Sequence, residues 1–294
     1  MILRLVVKKT ALIESREIRT GLLSEGYRVD MFSVEPSYLL LQYPESIEVT
    51  KGELDRSYRV KKGPWIQYCR WHSGPIDRKD NPLKRIYCNI NSDSYCRQHK
   101  RTTRALYEFC VTLHGDKGLE ICKLLDKKVS TEYVVYLTDF GGSKPKVGMT
   151  RSFRFVERLA EQAHIVATPL LTTKSAYEAR RLEIKISASG LAQEIKRRTL
   201  KVNRSIGESA ARLTYWAKRI SEALGIDWEG RLLRITPPDD LQYFRQTDPQ
   251  KIAGMPFIVK GFWGGYMLIE TREGRKYAIN TRVLQHRDSL DFLD

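Results

Sequence analysis

Between Tyr133 and Glu183 the chain runs YVVYLTDFGGSKPKVG, then MTRSFRFVERL, then KSAYEARRLEIKI, and this order narrows the possible folds most. A short apolar strand ends near Tyr136, and the Gly141-Gly142 turn returns the chain into a second strand at Lys146-Val147-Gly148. A two-strand unit closed by a glycine turn predicts that Tyr136 and Gly148 sit side by side on one sheet. The next helix carries Arg158 near its middle, and a further helix carries Glu178 and Glu183. Laid on that sheet, the helices can aim a guanidinium and a carboxylate at the tyrosine. Such a trio suits phosphodiester chemistry: the carboxylate holds a metal that polarises a phosphoryl oxygen, the arginine stabilises the developing charge, and the phenol or a bound water moves protons.

A second pattern lies upstream. Cys69-Arg-Trp-His72, Cys88 and Cys96-Arg-Gln-His99 place three of the five cysteines and two of the five histidines in one short window. Thiolates and imidazoles at a two-residue gap suit a tetrahedral zinc site, since one turn can supply two ligands. Two tetrads fit: Cys69, Cys88, Cys96 and His99, or the two Cys-x-x-His halves with His72 replacing Cys88. The first is preferred for its three thiolates. The surrounding loops, marked by Gly63-Pro64, Gly74-Pro75 and Asn81-Pro82, carry little apolar material, so a structural zinc is expected to organise them. Cys110 and Cys122 lie in an apolar helical stretch and read as plain core residues.

The formal net charge is +16, from 51 basic and 35 acidic residues. From Lys144 to Arg204 fourteen Lys or Arg face five Glu, which supplies nine of those charges. A field of that sign draws polyanions, so the expected partner is nucleic acid, DNA or RNA, with a steep salt dependence. Arg151, Arg154, Lys196, Arg197, Arg198 and Lys201 are the candidate phosphate contacts, and Arg97, Lys100, Arg101 and Arg104 extend a basic stripe from the metal module. The opening MILRLVVKKT is interrupted by charge too early for a secretory core, and no apolar run approaches the roughly 20 residues of a membrane span. A cytoplasmic protein without a membrane partner is therefore expected; oligomeric state is not legible.

The ordered segments resemble the GIY-YIG endonuclease superfamily, whose two short motifs lie on neighbouring strands ahead of an arginine helix and a glutamate helix. Val134-Val135-Tyr136 stands for the first motif and Lys146-Val147-Gly148 for the second. Arg158 matches the family arginine, and Glu183, with Glu178 as its substitute, matches the metal-binding glutamate. The resemblance implies Tyr136, Lys146, Arg158 and Glu183 as the catalytic set and magnesium or manganese as the catalytic metal. Lys146 stands where the nucleases have a second tyrosine, and His164 is displaced from the place of a family histidine. Two readings stay open: a metal-dependent endonuclease, or a non-catalytic protein that keeps the nuclease fold and binds RNA or a ribonucleoprotein. The cysteine-rich module ahead of such a domain, with a β-rich tail, also looks like a prokaryotic family of unknown function. Cys69-Arg70-Trp71, Cys88 and Cys96 follow that family's order, with His99 where a cysteine is more usual.

The expected class is α+β. Residues 1–126 form a β-rich region with the zinc module at about 60–104, residues 127–205 a small mixed α/β GIY-YIG-like domain, and residues 206–294 a helix and a small β domain. A single helix is expected over 102–126 and another over 191–223, where Ile206, Ala210, Leu213, Ala217, Ile220 and Leu224 form a core-facing stripe. Strands at 231–235, 257–262, 266–270 and 276–279 predict a small barrel-like tail. Its Trp263, Tyr266 and Tyr277 are expected to fill that interior rather than to offer bases a stacking surface.

Overall fold

A computed structural model describes residues 4–22, 26–43, 49–52, 55–61, 67–193, 200, 205–281 and 289–292; for 4–22, 33–43, 49–52, 61 and 289–292 it describes the backbone alone. The centre is a three-stranded antiparallel unit of β5 (Tyr133–Asp139), β6 (Lys146–Arg151) and β7 (Val166–Thr173), with β5 in the middle. Tyr136 pairs with Gly148 and Thr138 with Lys146, the register expected from the glycine turn. All seven residues of β5 are buried. Tyr133, Val135 and Leu137 enter one core and Val134 and Tyr136 another, which explains a run apolar on both faces.

The first core is covered by helices. α1 (Thr103–Thr112) and α2 (Gly115–Asp126) replace the single helix expected there; the chain turns at Leu113 and His114, and Gly115, with φ of 64°, opens α2. Cys110 and Cys122 are joined by a disulfide that links these two helices, a correction to their reading as separate core thiols. α4 (Ala176–Ala188) begins where Asp126, at the end of α2, accepts from the Ala176 and Tyr177 amides at 2.7 and 3.1 Å and from the Ser175 hydroxyl at 2.7 Å. A carboxylate there satisfies donors that helix geometry leaves free. α5 (Ile206–Leu224) buries Ala210, Leu213, Ala217 and Ile220 as expected, is capped by Ser205, and ends at Gly225 in the left-handed region. The helix expected from 191 thus begins later. α3 (Phe155–Ala160) lies on the other face of the sheet with the second core.

The remaining strands extend the pairing in one open path. β7 meets β8 (Leu232–Ile235), which runs parallel to β2 (Arg28–Tyr43); β2 pairs β1 (Arg4–Leu22) and β3 (Val49–Gly52). From β1 the path continues through β13 (Ser289–Phe292), β4 (Ser57–Lys61), β10 (Pro256–Trp263), β11 (Tyr266–Thr271) and β12 (Lys276–Asn280) to β9 (Arg245–Thr247), the last pair parallel. The expected tail strands exist, but among the described residues they do not close into a barrel: β10 gives its free edge to β4 from the N-terminal region. The β2–β8 and β4–β10 pairings cross the expected boundaries near 126 and 205. Trp263 and Tyr266 are buried at 3 % and 1 % exposure, inside the core as expected. Among the described residues no helix is long and apolar enough to cross a membrane.

Candidate functional site

The residues of the first expected tetrad come together. Ligand atoms of Cys69, Cys88, Cys96 and His99 all lie within 4.8 Å of one another. His99 Nδ1 is 3.2 Å from Cys96 Sγ and 3.7 Å from Cys69 Sγ. A tetrahedral ion with bonds of about 2.0–2.3 Å requires donor separations of about 3.5–3.8 Å, so the cluster needs only small adjustments to hold a metal such as zinc. The chain builds the site from two loops and one helix start. Cys69 N donates to the Ile90 carbonyl at 2.9 Å, Cys88 N to the Trp71 carbonyl at 3.2 Å, and the Cys96–His99 turn closes with His99 N on the Cys96 carbonyl at 3.0 Å. Thr102 then caps α1, fixing where that turn ends. Trp71 stacks on the His99 ring with centroids 4.0 Å apart and planes 2° from parallel. Burial pushes the Cys69 thiol up to about 11, a cost that a bound divalent cation offsets by stabilising the thiolate.

His72, the alternative ligand, lies outside the cluster: its Nδ1 accepts from Gly74 N at 3.2 Å, and its ring packs against Tyr87. Two arginines expected at the nucleic-acid surface instead fasten the module. Arg104 donates to the Gly74 and Pro75 carbonyls at 2.7 and 3.0 Å. Arg151, 4 % exposed, donates to the Ile76 carbonyl at 2.8 Å and stacks over Tyr107. Arg154 is half-buried and paired with Glu157 and Glu161 at 3.1 and 2.9 Å. Lys196, Arg197, Arg198 and Lys201 lie outside the described residues. By contrast Arg97, Lys100 and Arg101, beside the Cys96–His99 turn, are exposed.

The residues expected to form a catalytic set lie around one phenol, that of Tyr136. Tyr136 is 1 % exposed and packs so closely on Gly148 that a Cβ there would meet its ring at 2.9 Å, so position 148 admits no side chain without displacing Tyr136. Gln162 is the hub that sequence reading missed. Its Nε2 donates to Tyr136 Oη at 2.9 Å and its Oε1 accepts from Lys146 Nζ at 3.3 Å. The spacing signal was present, because Gln162 stands one helical turn beyond Arg158. Burial pushes the Tyr136 phenol up, opposed by Arg158 and by the Gln162 bond, while Glu183 adds to the rise. Arg158 itself pairs with Glu161 at 2.8 Å. Glu183 is buried against Arg180 at 2.5 Å, their side chains 10 % and 4 % exposed. Glu178 is turned away, accepting from the Thr173 hydroxyl at 2.6 Å. A further carboxylate, Asp139 at the end of β5, binds the Gly141 amide, Ser209 and Arg212, locking the β5–β6 turn to α5.

His164 is fully buried, its Nδ1–H donating to the Gln162 carbonyl at 2.9 Å. Burial, opposed by that carbonyl and reinforced by the Arg234 charge, lowers it to about 4. The unfolded chain, with a histidine near 6.5, then binds more protons than the folded one between those values. This contribution to stability is complete above about pH 6.5 and falls by about 3 kcal/mol as the pH drops to about 4. Urea titrations should show His164→Asn losing less stability than the wild type over that window; identical acid slopes would contradict the assignment.

The sequence profile of a family described as protein of unknown function, DUF2797, matches residues 91–288. The chain belongs to the DUF2797 family. No curated protein and no solved structure matches it. The matched span of this DUF2797 chain holds Cys96, His99 and the whole Tyr136 cluster, while Cys69 and Cys88 precede it.

Proposed function

We propose that this DUF2797 protein is a zinc-containing nucleic-acid-binding protein that keeps a GIY-YIG-like sheet as a scaffold without hydrolysing phosphodiesters. The observation that carries the reading is the basic edge at the metal centre. Arg97, Lys100 and Arg101 are exposed on and just beyond the turn that holds Cys96 and His99, and among the described residues no carboxylate pairs with them. From 67 to 104 nine Lys or Arg face three Asp, and the exposed Asp93 is the nearest of these in sequence. Cations held on a metal-pinned turn meet phosphates with little ordering cost. The sequence of the Lys196–Lys201 stretch adds a second basic segment of the same character.

The strand order, the Tyr136–Gly148 pair and the placement of Arg158 and Glu183 support the GIY-YIG-like reading of residues 133–188. Closure of the cluster favours binding over hydrolysis. Tyr136 is sealed, Lys146 is engaged by Gln162, and a metal on Glu183 must compete with the Arg180 charge already there. One feature favours the endonuclease reading: the Arg158 charge opposes, and the Glu183 charge adds to, the rise of the buried Tyr136 phenol. That reading requires cleavage of labelled DNA or RNA with magnesium or manganese and none with chelator.

The test of binding is a salt titration. Replacing Arg97, Lys100 and Arg101 together by alanine is expected to weaken affinity and to lower the slope of log affinity against log salt by up to about 0.9 for each phosphate that is no longer neutralised. Unchanged slope and affinity, with the metal retained, would show these cations to be solvated only.

A further inference from the structure

Trp263 and Tyr266 of the tail are buried, yet an aromatic surface exists elsewhere. The core stripe of α5 leaves Tyr215, Trp216, Lys218 and Arg219 on or toward its solvent side. Tyr215 is 53 % exposed. The two rings meet edge to face, 5.3 Å apart at 74°. Trp216 Nε1 donates to the Ser143 carbonyl at 3.2 Å, which anchors its ring to the β5–β6 turn. Arg219 lies 5.6 and 5.5 Å from the Tyr215 and Trp216 ring centres and donates to Tyr215 Oη at 2.9 Å. Two rings and a guanidinium are thus arranged in advance on a helix whose other face is fixed in the core.

A solvated helix face has no need of two large rings, and Lys or Glu would serve it better. The arrangement fits a partner that offers a flat π surface beside negative charge. Lys218 and Arg219 supply that complement, with no carboxylate paired to either among the described residues; Glu208 and Glu222 are the exposed acids of the same helix. Tyr243, 64 % exposed, makes a contrast, because the Lys276 beside it is already paired with Asp240 at 2.7 Å.

We infer that Tyr215, Trp216 and Arg219 form a stacking platform for unpaired bases of single-stranded nucleic acid. A duplex presents its phosphates but hides its base faces, so it can use the basic edge and not this platform. The inference rests on the nucleic-acid reading above and names the strand state it prefers.

Fluorescence anisotropy of the zinc-loaded protein with a fluorescein-labelled oligothymidylate, and with a duplex of equal length, tests it. Tyr215→Ala is expected to weaken single-strand binding by about tenfold or more, Tyr215→Phe by less than about twofold, and duplex binding is expected to change by less than about twofold in both. Tyr243→Ala is the exposed-tyrosine control and is expected to bind as the wild type does. Single-strand affinity unchanged in a folded Tyr215→Ala protein would overturn the platform and leave nucleic-acid binding standing. Failure of the wild type to bind either strand form would overturn both. Self-association that Tyr215→Ala abolishes, seen by sedimentation, would assign the face to a second copy of the chain and overturn the platform.

Discussion

Cys96→Ser and His99→Ala are each expected to release the metal and to unfold residues 67–102 while the central sheet persists. Apart from a three-residue 3-10 turn and the His72–Tyr87 bridge, this stretch has no regular structure, and its small core consists mainly of the ligands themselves with Tyr95, Ala105, Trp71 and Phe109. A structural zinc contributes about 10–16 kcal/mol in small metal-dependent modules, far more than such a core supplies. Elemental analysis should find about one zinc per wild-type chain, and hydrogen exchange should show the Cys69, Arg70 and Ser73 amides protected in the wild type and open in both variants. His72→Ala should keep the metal, since His72 stands outside the cluster. A metal-free protein, purified without chelator and still protecting those amides, would refute the metal centre.

Glu183→Ala is expected to cost about 3–5 kcal/mol of stability, because it strands the buried Arg180 guanidinium without its counter-charge. The resemblance to the nucleases implies the opposite, a glutamate whose loss removes a catalytic metal and leaves the fold nearly intact. The burial of the Arg180–Glu183 pair separates the two. Glu178→Ala, on an exposed side chain at the start of α4, should cost about 1 kcal/mol or less. Urea unfolding measures both. Equal, small losses at the two positions would show that Glu183 is not part of the scaffold.

What the sequence disclosed follows the range of the interactions concerned. The β5–β6 register was legible because an apolar run, a glycine turn and Gly148 act within a few residues of one another. The Cys/His cluster was legible because the spacing of such residues is itself a local constraint, and the absence of His72 from it depends on the loop path rather than on spacing. The tail strands were legible one by one, but their failure to close was not, since β10 pairs with a strand some two hundred positions earlier. Asp139 and Arg212, 73 residues apart, carry no joint signal in the chain. Arg151 was expected at the surface because it is basic, whereas its place on β6 sets it over the Tyr107 ring and beside the Ile76 carbonyl. The Cys110–Cys122 link depended on α1 and α2 being two helices and not one.

The central claim, nucleic-acid binding without hydrolysis, meets its most direct test in one measurement. Zinc-loaded protein is incubated with labelled single-stranded and duplex DNA and RNA at increasing salt, with magnesium, manganese or chelator, and bound and cleaved fractions are read from the same samples. The account predicts binding that weakens steeply and linearly in log salt, and full-length strands under every metal condition. Absence of binding at low salt would contradict it, as would metal-dependent cleavage that Arg158→Ala abolishes in a folded protein.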